Sequence, residues 1–302
     1  MLNEAAAAAL GCPVEGNPDL YGLGIRVGIY LQMLTVQLSG LLSTAFRLED
    51  HIGQGTIVFV LAAVVVLVRL LSMTINPGPD GSGAGKGIEP VEVFPVLTLL
   101  LIQVGVCRVS SENKTTMLIW MAELVGLAAL FLWFWWRGMD LLPRSCPDDK
   151  AFFFAQVSIY NWFRTFNKVS SVVTAVAVAI AVVSASASVL YHCVVAAVRH
   201  LRNKRDDDEG AAENVDAETR RYKPVVGAFD LVANVGAIVF VEMSLKWNNI
   251  SGVHSLNSPG QFMPFFVALG QLLTVFYSAI KHGLRAYAEE RIVVEHGEKS
   301  GR

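Results

Sequence analysis

The sequence predicts an all-α, polytopic transmembrane bundle of about seven helices, N-terminus lumenal and C-terminus cytoplasmic, and three observations carry that reading. Of 302 residues, 53% are hydrophobic and only 17% are charged, with a mean hydropathy of +0.48, too apolar for an ordinary soluble surface. Apolar runs of about 20 residues recur along the chain, the length a helix rising about 1.5 Å per residue needs to cross about 30 Å of hydrocarbon. Basic residues concentrate in one loop and in the tail, as they do on the cytoplasmic side of membrane proteins.

The runs fall at Leu20–Phe46, Thr56–Ile75, Val91–Val109, Thr116–Trp136, Ser170–Val198, Val226–Leu245 and Phe262–Lys281, separated by Pro, Gly, Asn or clustered charge. Residues 1–19 form a lumenal segment; their alanine run lacks the basic region of a cleavable signal, so the first span acts as the insertion signal. Residues 20–281 form the transmembrane domain and residues 282–302 a cytoplasmic tail. Arg199, Arg202, Lys204, Arg205, Arg220, Arg221 and Lys223 put the charged loop at about 199–225 on the cytoplasmic side with that tail. The fourth loop opposes this assignment, because Arg137, Arg144, Lys150, Arg164 and Lys168 then lie on the lumenal side.

In that topology Cys12 and Cys146 share the lumenal side, where a disulfide and two unpaired thiols are both open. Asn249-Ile250-Ser251 is a glycosylation sequon on the same side, whereas Asn113-Lys114-Thr115 falls on the other. Two motifs imitate chemistry. Asp206, Asp207 and Asp208 suggest a metal site but belong to a solvated connector, and Pro79–Gly87 imitates a phosphate loop with its first glycine misplaced and Gly87 where a hydroxyl is needed. The six histidines are scattered, and no nucleophile elbow is visible. No metal, no cofactor and no nucleic-acid partner is expected; the partners are the lipid bilayer and a hydrophobic small molecule.

Ionisable groups inside the spans carry more information, because each costs about 2.5–3.5 kcal/mol on insertion scales. Arg69 and Asp230 lie near span ends, where snorkelling or a helix-terminal role accounts for them. Arg26 and Glu242 lie toward the lumenal ends of the first and sixth spans, and Glu123 lies about two turns into the fourth. Asp19 and Glu242 are the expected partners of Arg26, either as a structural charge pair or as the wall of a polar pocket. Such a pocket is roofed by "KWNNISGVHSLNSPGQ", Lys246–Gln261, a loop richer in Trp, Asn, Ser and His than a simple connector needs. The aromatics Trp120, Trp133, Phe134, Trp135 and Trp136, then Phe152, Phe153, Phe154, Tyr160, Trp162, Phe163 and Phe166, read as an interfacial belt with an amphipathic helix, or as a cavity wall that stabilises a cation.

"NPDLYGLGIRVGIYLQ" and "KWNNISGVHSLNSPGQFMPF" together resemble a family of polytopic membrane proteins common in filamentous fungi, among them membrane-bound terpene cyclases similar to the ascofuranone cyclase. The resemblance covers both ends of the bundle. It implies an endomembrane enzyme of meroterpenoid biosynthesis that protonates the terminal epoxide of a farnesyl substrate, alongside other pathway enzymes. That chemistry needs one acid held protonated in an apolar setting, for which Glu242, Glu123 and Asp19 are the candidates. Arg26 then orients a second carboxylate or the head of the substrate, and Tyr30, Gln32, Trp247, Asn248 and Gln261 surround that phenolic head. Two rival classes stay open: a channel, transporter or receptor-like protein whose charged groups line a path, and a non-catalytic membrane scaffold.

Overall fold

The computed structural model describes residues 14–46, 53–76, 87–107, 114–146, 149–203, 224–256 and 259–300. Cys12 and its pairing with Cys146, Asn113, the aspartates Asp206–Asp208 and most of the Pro79–Gly87 loop lie outside them. Asn17 caps a single helical turn, Pro18–Tyr21, its side chain accepting from the Asp19 N–H at 3.0 Å with Pro18 in the first position. The main helices follow: α1 (Leu23–Phe46), α2 (Gly53–Ile75), α3 (Pro90–Val106), α4 (Lys114–Trp133), α5 (Trp162–Asn203), α6 (Pro224–Trp247) and α7 (Pro259–Ser300). A π-helical turn, Phe134–Gly138, and a last turn, Met139–Leu141, extend α4.

Six helices among the described residues are long and apolar enough to cross a membrane, which makes this an integral, multi-pass membrane protein. The third expected span, Val91–Val109, is α3, which has only 17 residues. Its shortness goes with its position, since it packs against α1, α2, α4 and α6 and buries Val91, Phe94, Leu97 and Leu100 almost completely. A helix wrapped in protein need not match the bilayer by itself.

Two bonds fix how α1 and α3 lie. Tyr21 Oη donates to Glu92 at 2.7 Å and Gln103 Nε2 donates to Gln32 at 2.9 Å, both across a separation of 71 residues, so the two helices run parallel in one register. On the other side α1 meets α7 through Gly24 and Gly28, four residues apart; a Cβ on Gly28 would lie 2.8 Å from the Pro264 carbonyl carbon and 3.0 Å from the Phe265 nitrogen.

The expectation of an all-α chain fails in the fourth loop. Instead of an amphipathic helix it forms an antiparallel hairpin, β1 (Lys150–Phe153) and β2 (Ala155–Ser158), and α5 starts at Trp162 rather than near Ser170. Asn248 holds the hairpin: its Oδ1 accepts from the Lys150 N–H at 2.7 Å and its Nδ2 donates to the Lys150 carbonyl at 2.6 Å. The hairpin, the N-terminal segment and the α6–α7 loop gather at one end of the bundle as a cap, in which Glu15 and Ser251 form a parallel bridge and the Ser251 N–H donates to the Val14 carbonyl at 2.8 Å.

Replacing Gly28 by Ala forces α1 and α7 apart at the Pro264 backbone. We expect a loss of about 1–3 kcal/mol in denaturation measured in mixed micelles, with little change for Gly126→Ala, where nothing lies within 4 Å.

Candidate functional site

Arg26 occupies the second turn of α1, facing α6, and is only 1% exposed. A guanidinium there demands a counter-charge. Its Nη1 donates to Glu242 Oε1 at 2.6 Å, and its Nη2 donates to the Val253 carbonyl at 3.2 Å. Tyr30, one turn further along α1, donates its hydroxyl to the same Glu242 oxygen at 2.8 Å. Of the two acids expected beside Arg26, Glu242 is thus an observed partner, while Asp19 sits exposed on the Pro18–Tyr21 turn.

The Glu242 side chain is 41% exposed and opens into a pocket of about 510 Å³ lined by Glu242, Met243, Leu245, Lys246, Asn249, Ile250, Ser251 and His254. Its chemistry is that of a carboxylate flanked by Lys246 and His254, with hydroxyl and amide groups from the sequon at its rim. Among the described residues no phenylalanine, tyrosine or tryptophan lines it.

The other polar candidates have structural partners. Asn248 and Trp247 serve the hairpin, Trp247 stacking on Phe152 at 5.5 Å. Gln261 accepts from the Gly24 N–H at 3.3 Å and sits in the α1–α7 seam. Gln32 is fully buried against Gln103, away from the pocket. The aromatic residues divide. Phe94, Phe131, Phe134, Trp135 and Phe163 pack on one another as core, with centroids 5.2–6.4 Å apart, whereas Trp136, Trp162 and Phe166 are exposed.

Glu123 stands apart. Trp120 Nε1 donates to the Val104 carbonyl at 3.1 Å, which puts Glu123, one turn further on, at about the depth of Tyr30 but across α3 from Glu242. Its side chain is buried, and neither carboxyl oxygen has a hydrogen-bond partner among the described residues.

Two buried carboxyls escaped the sequence reading. Glu92 accepts from Tyr21 Oη at 2.7 Å, from the Asn17 N–H at 3.1 Å and from the Glu89 N–H at 2.9 Å; Glu89 accepts from Ser145 Oγ at 2.7 Å. Helix α3 begins with Pro90, and the Glu89–Pro90–Val91–Glu92 pattern of an N-terminal capping box was the signal available. These neutral donors sit at the positive end of the α3 dipole and make the pair a clasp between the N-terminal segment and the α4–β1 loop. In that loop Asp149 accepts from the hydroxyl of Tyr160, which follows β2, at 2.6 Å, and the Arg144 guanidinium lies 4.3 Å from the Tyr160 ring. Burial, with Asp149 beside it, pushes the Tyr160 phenol above its ordinary range. The stabilisation from burying the protonated phenol is complete below the ordinary tyrosine value and is lost as the pH rises from there through the raised one.

No family, curated protein or solved structure matches the chain.

The asymmetry of the central pair yields a test. Glu242→Met strands a fully buried guanidinium and should cost about 3–5 kcal/mol, whereas Arg26→Met leaves a carboxylate that reaches solvent and should cost clearly less. Denaturation of both single variants and the double variant in micelles reads the difference; equal costs would contradict the burial pattern.

Proposed function

We propose that this protein is a membrane-embedded cyclase of an endomembrane such as the endoplasmic reticulum, with its capped end lumenal, that protonates the terminal epoxide of a farnesyl-bearing phenolic substrate in a fungal meroterpenoid pathway. The observation that carries the reading is Glu123, a buried carboxyl in an apolar span with both oxygens unpartnered. Transfer of its proton to the epoxide oxygen breaks the carbon–oxygen bond at the more substituted carbon, leaving a hydroxyl and a carbocation. Alkene electron pairs then close the rings, and the last cation returns a proton to the Glu123 carboxylate, so product and substrate are isomers. Trp120, three residues before Glu123 on the same helix face, offers a ring to that cation. Glu242, committed to its ion pair with Arg26 and separated from Glu123 by α3, takes no part in the proton transfer.

A second reading, an ion or solute path, draws on a different observation. Gln32, Gln103, Thr56 and Asn234 are all buried in the bundle, and each keeps a polar atom without a hydrogen-bond partner among the described residues. Such atoms in native proteins are normally satisfied by water or an ion.

The discriminating experiment feeds an epoxyfarnesyl phenol to microsomes bearing the wild type, Glu123→Gln or Glu242→Gln at matched protein level. We expect a cyclised isomer of unchanged mass, lost by at least about 100-fold in Glu123→Gln and retained in Glu242→Gln. No isomer from the wild type, together with ion flux in liposomes, would replace the cyclase by the second reading.

A further inference from the structure

Phe154 combines two unfavourable features. It forms the tip of the β1–β2 hairpin with φ at 58°, a left-handed backbone that bulky residues avoid, and its side chain is 91% exposed. The turn itself explains neither, because glycine or asparagine would make it with less strain.

The tip is held firmly. Its strands pair from Lys150↔Ser158 to Phe153↔Ala155, Asn248 clamps Lys150 from α6, and the Ile159 N–H donates to the Asp149 carbonyl at 3.0 Å. Beside it the Phe153 ring lies 5.5 Å from Phe154, 5.4 Å from Trp162 and 5.2 Å from Phe166. Trp162 and Phe166 occupy the first two turns of α5, where a candidate membrane span begins, and are 52% and 47% exposed. Charge frames the patch: Arg164 pairs with Asp140 at 2.6 Å, and Lys168 Nζ lies 5.3 Å above the exposed Trp136 ring. Exposed aromatic rings, mixed with cations that reach along them at the start of an apolar helix, make up the headgroup level of a bilayer.

We propose that the hairpin is an interfacial anchor: Phe154 inserts between the phospholipid headgroups and upper acyl chains of the bilayer that α5 crosses. Insertion explains both features, since lipid covers the ring and a left-handed tip turns it outward from the strands. The partner is the lipid surface itself, and the proposal stands independently of the reaction at Glu123. Through the Asn248 clamp the anchor also fixes the height of the α6–α7 loop, and with it the rim of the Glu242 pocket.

The test uses the full chain with its native cysteines changed to serine, spin-labelled at Phe154→Cys or at the exposed Gln156→Cys, in phosphatidylcholine nanodiscs. Collision with oxygen should exceed collision with a nickel chelate several-fold at position 154, and the order should reverse at position 156. Equal nickel access at both positions overturns the proposal, and so does shielding of position 154 from both reagents, which would mark a protein contact. Because the cysteine could disturb the turn, the unaltered protein is also irradiated with phosphatidylcholine bearing a photoactivatable group near the glycerol. Adducts on the residues 151–163 peptide are the expected result, and their absence overturns it.

Discussion

A single buried charge organises the bundle. The Arg26 guanidinium, 1% exposed on α1, needs a counter-charge and acceptors in an apolar interior, and two elements supply them. Helix α6 gives Glu242 to Nη1 and the α6–α7 loop gives the Val253 carbonyl to Nη2, while Nε has no hydrogen-bond partner among the described residues. Fixing Val253 fixes the loop, and the loop bridges through Ser251 to Val14 in the N-terminal segment. The cap is therefore not a set of independent connectors. Its conformation is the coordination shell of one cation, extended outward by hydrogen bonds.

The second constraint is the short, enclosed helix α3. Parallel to α1 in a constant register, it separates two glutamates at about the same depth and gives each a different neighbourhood. On one side Glu242 is paired, shared with Tyr30 and open to a pocket; on the other Glu123 is enclosed without a partner.

How legible this was in the sequence depended on whether a residue contradicted its surroundings. Arg26 and Glu242 interrupt apolar runs, so Glu242 stood beside Asp19 as an expected partner of Arg26, and Arg26 and Glu242 are bonded. Glu92 was passed over because it sits at the start of its run, where a helix N-terminus and neutral donors satisfy a carboxylate without any cation to point to it. The hairpin was hidden because Phe152, Phe153 and Phe154 contain no turn residue; a phenylalanine holds the left-handed position that glycine normally announces. Asn248 and Trp247 were read as facing a substrate, and only long-range pairing with Lys150 and Phe152 reveals their use in the fold.

Polarity in a membrane span is thus a poor guide by itself; what discriminates is whether a residue's unfavourable features are offset within the fold. Gln261 is fully offset, its carbonyl taken by the Gly24 N–H in a seam too close for any side chain on Gly24. Asn248 spends its amide on two carbonyls and one N–H. Among the described residues Glu123 has two oxygens with no hydrogen-bond partner, and Phe154 has a left-handed backbone and a 91% exposed ring that meets the neighbouring Phe153 ring. These are the two residues for which a partner outside the chain is proposed, a reactant for the one and lipid for the other.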